Sequence, residues 1–151
     1  MKSKDTLVAP CGQYCGVCGI YIAHRDNNTE LKERLTTVYG VEVNEMKCQG
    51  CLSDELFRGC QTCSIRFCTL EKGIEGWHQC NDFPCKFILD FPYPVEKRIM
   101  LRAIPIRSDL GIDRFIEEEE TRYQCPHCGS RLFIGAQICY ECREPVDVDW
   151  T

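Results

Sequence analysis

Four cysteines near the C-terminus, Cys125, Cys128, Cys139 and Cys142, are spaced C-x2-C-x10-C-x2-C. Two residues between cysteines let both sulfurs of a pair point at one centre, while amides of the tight turn favour the thiolates. Two such pairs, in CPHCG and CYECR, close a tetrahedron with no open position, the donor set of structural zinc. Four sulfurs also suit iron in a rubredoxin-like centre. RLFI and AQIC flank Gly135, so the sequence predicts a β-hairpin that brings the pairs together as a zinc ribbon. His127 lies inside the first pair and falls outside the ligand set, because four cysteines already fill it.

Ten further cysteines stand earlier in the chain: Cys11, Cys15, Cys18, Cys48, Cys51, Cys60, Cys63, Cys68, Cys80 and Cys85. Ten thiols exceed the needs of two tetrahedral sites, and His24 with His78 would complete three. Cys15/Cys18, Cys48/Cys51 and Cys60/Cys63 are expected to act as half-sites, each pair sharing one metal. Cys11, Cys68, Cys80 and Cys85 then complete them or stay free, with His78, next to Trp77, as first substitute. The stretch APCGQYCGVCGIYIAH, residues 9–24, also shows the C-x3-C-x2-C spacing of radical enzymes that pair a four-iron cluster with S-adenosylmethionine. Those enzymes need a large α/β barrel. Here no β–α–β alternation follows, and Val17 stands where an aromatic residue is usual, so the motif lacks its context. A non-radical iron–sulfur cluster at an N-terminal site is the alternative to zinc.

Fourteen cysteines in 151 residues place cross-links or metals at the centre of folding. The N-terminal MKSKDTLVAP has no apolar leader core, and no apolar run reaches membrane-spanning length. A cytoplasmic chain with cysteines paired as C-x2-C points to metal rather than disulfides. The formal charge is −5, and three tetrathiolate zinc sites would take it to about −11. Nucleic acid is therefore not favoured as partner, since that grip needs clustered Lys and Arg. Lys97, Arg98, Arg102 and Arg107 make one basic stretch, read as a solvated helix face.

The elements that must position these residues are short. Residues 11–25 read as a cysteine-bearing turn entering a helix. Asn27 or Asn28 caps the next, with Glu30 at capping-box spacing from Asn27. Leu31, Leu35, Val38 and Tyr39 share its face, and Gly40 ends it. Cys63, Phe67 and Leu70 mark another helical face, stopped near Gly73. Val95, Ile99 and Ala103 mark a helix halted at Pro105. Ser108 or Asp109 caps the last, whose Glu117–Glu120 run is read as a solvated face. The expected fold class is a small metal-stapled, mainly α cysteine-rich domain with a C-terminal β zinc ribbon. Its divisions are a cysteine-rich domain at 1–94, a helical connector at 95–122 and the ribbon at 123–151.

The motifs CGQYCGVCGIY, CQGC and CQTCSIRFCTLEKGIEGWHQCNDFPC resemble a cysteine-rich prokaryotic family, the domain of unknown function number 3795. The resemblance covers about residues 9–90. It rests on Cys11, Cys15 and Cys18; on Cys48 and Cys51; on Cys63, Ile65, Arg66, Cys68, Glu71, Lys72 and Gly73; and on Cys80, Pro84 and Cys85. Trp77 stands where members often carry another cysteine. The resemblance implies metal binding and no defined activity.

The functional expectation is a zinc-binding protein holding about three ions, a metal-stapled binding or regulatory module with a protein partner and no membrane. An iron–sulfur or thiol redox protein, or a metal sensor, is the alternative. No Ser-His-Asp set, HExxH or phosphate-cradling glycine loop supports other catalysis.

Overall fold

The structure, a computed structural model, describes residues 4–150. After a 3₁₀ turn at Cys15–Val17, α1 spans Gly19–Arg25 and α2 spans Thr29–Tyr39. Asn28 is the cap of α2: its side chain accepts the Leu31 N–H at 3.0 Å. Asn27 instead takes a left-handed bend, φ 48°. Gly40, at φ 65°, terminates the helix as a left-handed C-terminal glycine does. Leu31 and Leu35 are buried, Tyr39 is half-buried, and Val38 faces solvent, so the inward stripe is narrower than the sequence pattern suggested.

α3 (Arg58–Gln61), α4 (Ser64–Lys72) and α5 (Lys86–Leu89) follow. In α4 the expected face is the wrong one. Ile65 and Thr69 are buried, whereas Phe67 and Leu70 are exposed by more than half. Gly73, φ 67°, closes α4 as expected.

α6 runs over Pro94–Leu110 and α7 over Ile112–Arg122. Pro94 at the start needs no N–H partner. Pro105 does not halt α6. It lies on the exposed face between buried Ile104 and Arg107, so the Leu101 carbonyl that loses a partner can face water while the inner face continues. Ser108 and Asp109 therefore belong to the last turn of α6, and Gly111 precedes α7.

The β zinc ribbon is not formed. Among the described residues there is no strand, only isolated bridges, of which Gln124–Arg131 and Ile138–Pro145 lie in this segment. Hydrogen bonding explains the difference. Each cysteine pair closes on itself: Cys125 N–H donates to Ser130 O at 2.8 Å, and Cys139 N–H to Glu144 O at 3.0 Å. Between the pairs, where a hairpin would ladder, Ile134 N–H donates to Val17 O at 2.9 Å and Ala136 N–H to Phe133 O at 3.1 Å. The linker spends its donors on the N-terminal region and on its own turn.

Three apolar cores hold the molecule. The first joins Leu7, Val8, Tyr14 and Val17 to Ile99 and Phe115 from α6 and α7, and to Tyr123, Leu132 and Cys139 from the C-terminal segment. The second packs α1 and α2 against Met46, Cys48 and Phe57. The third packs Ile65, Trp77 and Ile88 against Met100 and Ile104 of α6. Each fully buried large side chain contributes about 1.5–3 kcal/mol.

Charge is also turned inward. Of the glutamate run, Glu117 and Glu118 are exposed, but Glu119 is 1% exposed. Arg102 meets Glu119 through two nitrogens, at 2.5 and 3.2 Å. Glu120 takes the Tyr14 hydroxyl at 2.9 Å and Lys4 at 2.9 Å. The basic stretch is likewise occupied: Lys97 donates to Leu89 O, Arg98 to Asp149 O, and Arg107 is buried. Arg98 itself stays exposed, so the stretch is solvated at that end and turned inward at Arg102 and Arg107. No helix among the described residues is long and apolar enough to cross a membrane.

Candidate metal centres

At the C-terminal end, the helix α7 delivers Tyr123 into the first core, and the chain turns at once into the first cysteine pair. Gly129, φ 77°, and Arg143, φ 65°, occupy the left-handed position that ends each turn. Glycine takes it freely, whereas arginine carries the steric cost of its Cβ. The four sulfurs of Cys125, Cys128, Cys139 and Cys142 all lie within 4.8 Å of one another. Cys125 and Cys142 are 3.7 Å apart, as are Cys128 and Cys139. A tetrahedron with metal–sulfur bonds of about 2.3 Å has edges of about 3.8 Å, so the group fits one ion without rearrangement.

Each sulfur also receives an amide from two residues on: His127 to Cys125 at 3.4 Å, Ser130 to Cys128, Glu141 to Cys139 and Glu144 to Cys142. Ser130 Oγ sits 3.0 Å from Cys128 and 3.1 Å from Cys139. The Ser130 hydroxyl, with the Cys142 and Glu141 amides, brings the Cys139 thiol down to about 6. Cys142 gains the Glu144 amide, yet its proton is held toward Cys125, Cys139 and Cys128, which takes it up to about 12. A divalent cation bound between the four sulfurs would displace their protons. Cys125 and Cys139 are buried and Cys128 is exposed.

Asp149 fastens this unit. It is 4% exposed and accepts the Tyr123 hydroxyl at 2.7 Å and the Gly135 amide at 2.8 Å. Neither Ser130 nor Asp149 was found from sequence. A hydroxyl two residues after a cysteine was the only available signal for the first, and Asp149 had none. Arg34 of α2 lies over the Tyr140 ring, 4.2 Å from its centroid, so the second pair is braced on the N-terminal region.

The N-terminal cysteines are spread over the three cores. Cys15 packs on the first core, Cys18, Cys48 and Cys60 on the second, and Cys11 and Cys63 on the third. The same amide signature recurs: Gln13 donates to Cys11, Ile20 to Cys18 and Gly50 to Cys48, the last at 3.4 Å. Gly12 and Gly50 permit these turns at φ 88° and 109°, and a Cβ on Gly12 would stand 2.8 Å from Ile104. Burial, then the neighbouring Cys51 and Cys63 sulfurs, pushes Cys11 up to about 12. Burial and Cys63 take Cys51 up to about 11. Cys15, Cys18 and Cys60 are raised in the same way.

Cys80 and Cys85 pack on the third core, and Lys72 lies 3.6 Å from the Cys80 sulfur, with Cys68 nearby. His78 has a buried Nδ1 without a partner. It faces Arg107 and Glu75, and burial with Arg107 lowers its basicity. His24 lies 3.6 Å from Glu55.

No curated protein and no solved structure matches the chain. The family described as protein of unknown function DUF3795 matches residues 7–90. That stretch carries the N-terminal cysteines and their positive-φ glycines and makes up more than half of the chain, which belongs to this family.

Proposed function

We propose that the protein is a metal-stapled binding or regulatory module whose C-terminal Cys125, Cys128, Cys139 and Cys142 hold one zinc ion. The 3.7 Å sulfur separations carry this reading, because they already match the edge of a tetrahedral thiolate site. Four thiolates fill such a site and leave no place for substrate, so its role is structural. The ion ties two loops that lack a sheet to hold them, and Ile134 transmits that order to Val17. The ten N-terminal cysteines extend the same role, with His78 as a spare ligand.

The partner in this reading is a protein, in a reducing, cytoplasmic setting where thiols persist. Phe67 and Leu70 on α4 and Phe87 and Leu89 near it in sequence are exposed by 45–56%. Arg102 and Arg107 of α6 are engaged internally and the chain carries a net charge of −5, which leaves little for phosphate contacts. Native mass spectrometry of the full chain tests the zinc assignment. Cys139→Ser should lower zinc by one ion per chain. Equal zinc in both proteins would overturn it.

A further inference from the structure

The segment between the two C-terminal cysteine pairs lies directly on the turn between Cys15 and Cys18. Ile134 N–H donates to Val17 O at 2.9 Å, and Arg131 Nη1 donates to Gly16 O at 3.4 Å. Gly16 and Val17 are the two residues inside this C-x2-C pair, and both lie before Cys18, which caps α1. Two backbone acceptors of the turn thus take their donors from over a hundred residues away in sequence, where each would otherwise need another partner. Val17 is fully buried in one core with Cys125 and Cys139, and Cys15 and Cys142 both pack against that core.

Side chains make a second connection. Tyr140 stands between Cys139 and Cys142, and its ring centroid is 5.4 Å from that of Phe133. Phe133 packs against both the first and the second core. A Cβ on Gly19, the residue after Cys18, would come 3.3 Å from the Phe133 ring, so the ring rests on the backbone at the start of α1. Cys18 packs against the same second core as Phe133 and Tyr140.

The linker is anchored at its start without an ion, because Leu132 N–H donates to Tyr123 O at 2.7 Å. Each cysteine pair also closes on its own turn. An ion held by all four sulfurs adds the link between the pairs, and so fixes Tyr140 relative to Phe133 and the Cys15–Cys18 turn.

We propose that metal binding at Cys125, Cys128, Cys139 and Cys142 is coupled to the Cys15–Cys18 pair: the filled C-terminal site sets the turn and readies Cys15 and Cys18 to bind metal after it. This rests on the reading of the C-terminal four as a zinc site. Full-length protein is stripped of metal under reducing, oxygen-free conditions and given one equivalent of zinc. Iodoacetamide is then added, and alkylation of each cysteine is followed by mass spectrometry. Cys125, Cys128, Cys139 and Cys142 should be protected, which reports the zinc site by itself. Cys15 and Cys18 should react about tenfold more slowly than without zinc, within the range of coupled sites. In the double variant Cys125→Ala with Cys139→Ala, the same equivalent should leave Cys15 and Cys18 reacting about tenfold faster than in the wild type. Phe133→Ala should keep the C-terminal protection and lose the effect at Cys15 and Cys18. A protected C-terminal site with no slowing at Cys15 and Cys18, or equal slowing in the wild type and the double variant, overturns the coupling. Unprotected C-terminal cysteines overturn the zinc reading beneath it. Slowing retained in Phe133→Ala overturns the route through Phe133, and if that variant fails to fold, the wild type with and without zinc still decides the coupling.

Discussion

Tyr14 sits inside the family motif, between Cys11 and Cys15, and its hydroxyl reaches across to α7. It is 2% exposed, and its ring lies over Gly16, where a Cβ would come within 2.3 Å. The hydroxyl donates to Glu120 at 2.9 Å, and burial together with that carboxylate pushes its ionisation up, so it remains a donor. Tyr14→Phe removes one hydrogen bond to a charged acceptor and leaves the ring in place. Glu120 keeps Lys4, so no carboxylate is stranded, and the loss should sit at the low end for charged bonds, about 1.5 kcal/mol. For a chain of this length that is roughly 3–6 °C in melting temperature. Urea unfolding of the metal-loaded chain at pH 7 reads it. Glu120 is opposed by burial, but hydrogen bonds from Lys4 and Tyr14 prevail and hold its pKa below the usual 4.5. Its stabilisation is complete above the unfolded value and is lost as pH falls through the folded one. A gap under about 0.5 kcal/mol at pH 7 would refute the reasoning, since a bond to a charged acceptor exceeds it.

Arg143→Gly should stabilise the metal-loaded chain by about 1 kcal/mol, because it relieves a left-handed non-glycine position; a lower urea midpoint would contradict this. Arg102→Met takes both guanidinium bonds from the buried Glu119 carboxylate and leaves only Arg122, 3.7 Å away, so it should cost about 3 kcal/mol, the low end for a broken buried pair. The double change Arg102→Met with Glu119→Leu should recover most of that loss, and equal loss in the single and double variants would show that the ion pair is not the cause.

Local signals in the sequence carried well where one residue decides the backbone. Asn28 caps α2, and Gly40 and Gly73 end their helices, because side-chain capping and left-handed φ are local properties. The C-terminal cysteine group was legible for the same reason. Tertiary choices were not. Pro105 continues a helix because its face is exposed, and Phe67 faces out because Ile65 and Thr69 face in. Glu119 is buried because Arg102 arrives from another helix. The hairpin failed because Ile134 bonds to Val17, over a hundred residues away in sequence. C-x2-C spacing marked the four C-terminal sulfurs that come together, but not how the N-terminal cysteines spread over three cores.

Zinc K-edge X-ray absorption of the full chain tests the central claim most directly. It should show four sulfurs at about 2.3 Å, with one zinc per chain lost when Cys125 and Cys139 are both replaced by alanine. A zinc shell of nitrogen and oxygen, or zinc content unchanged in that double variant, would contradict the account.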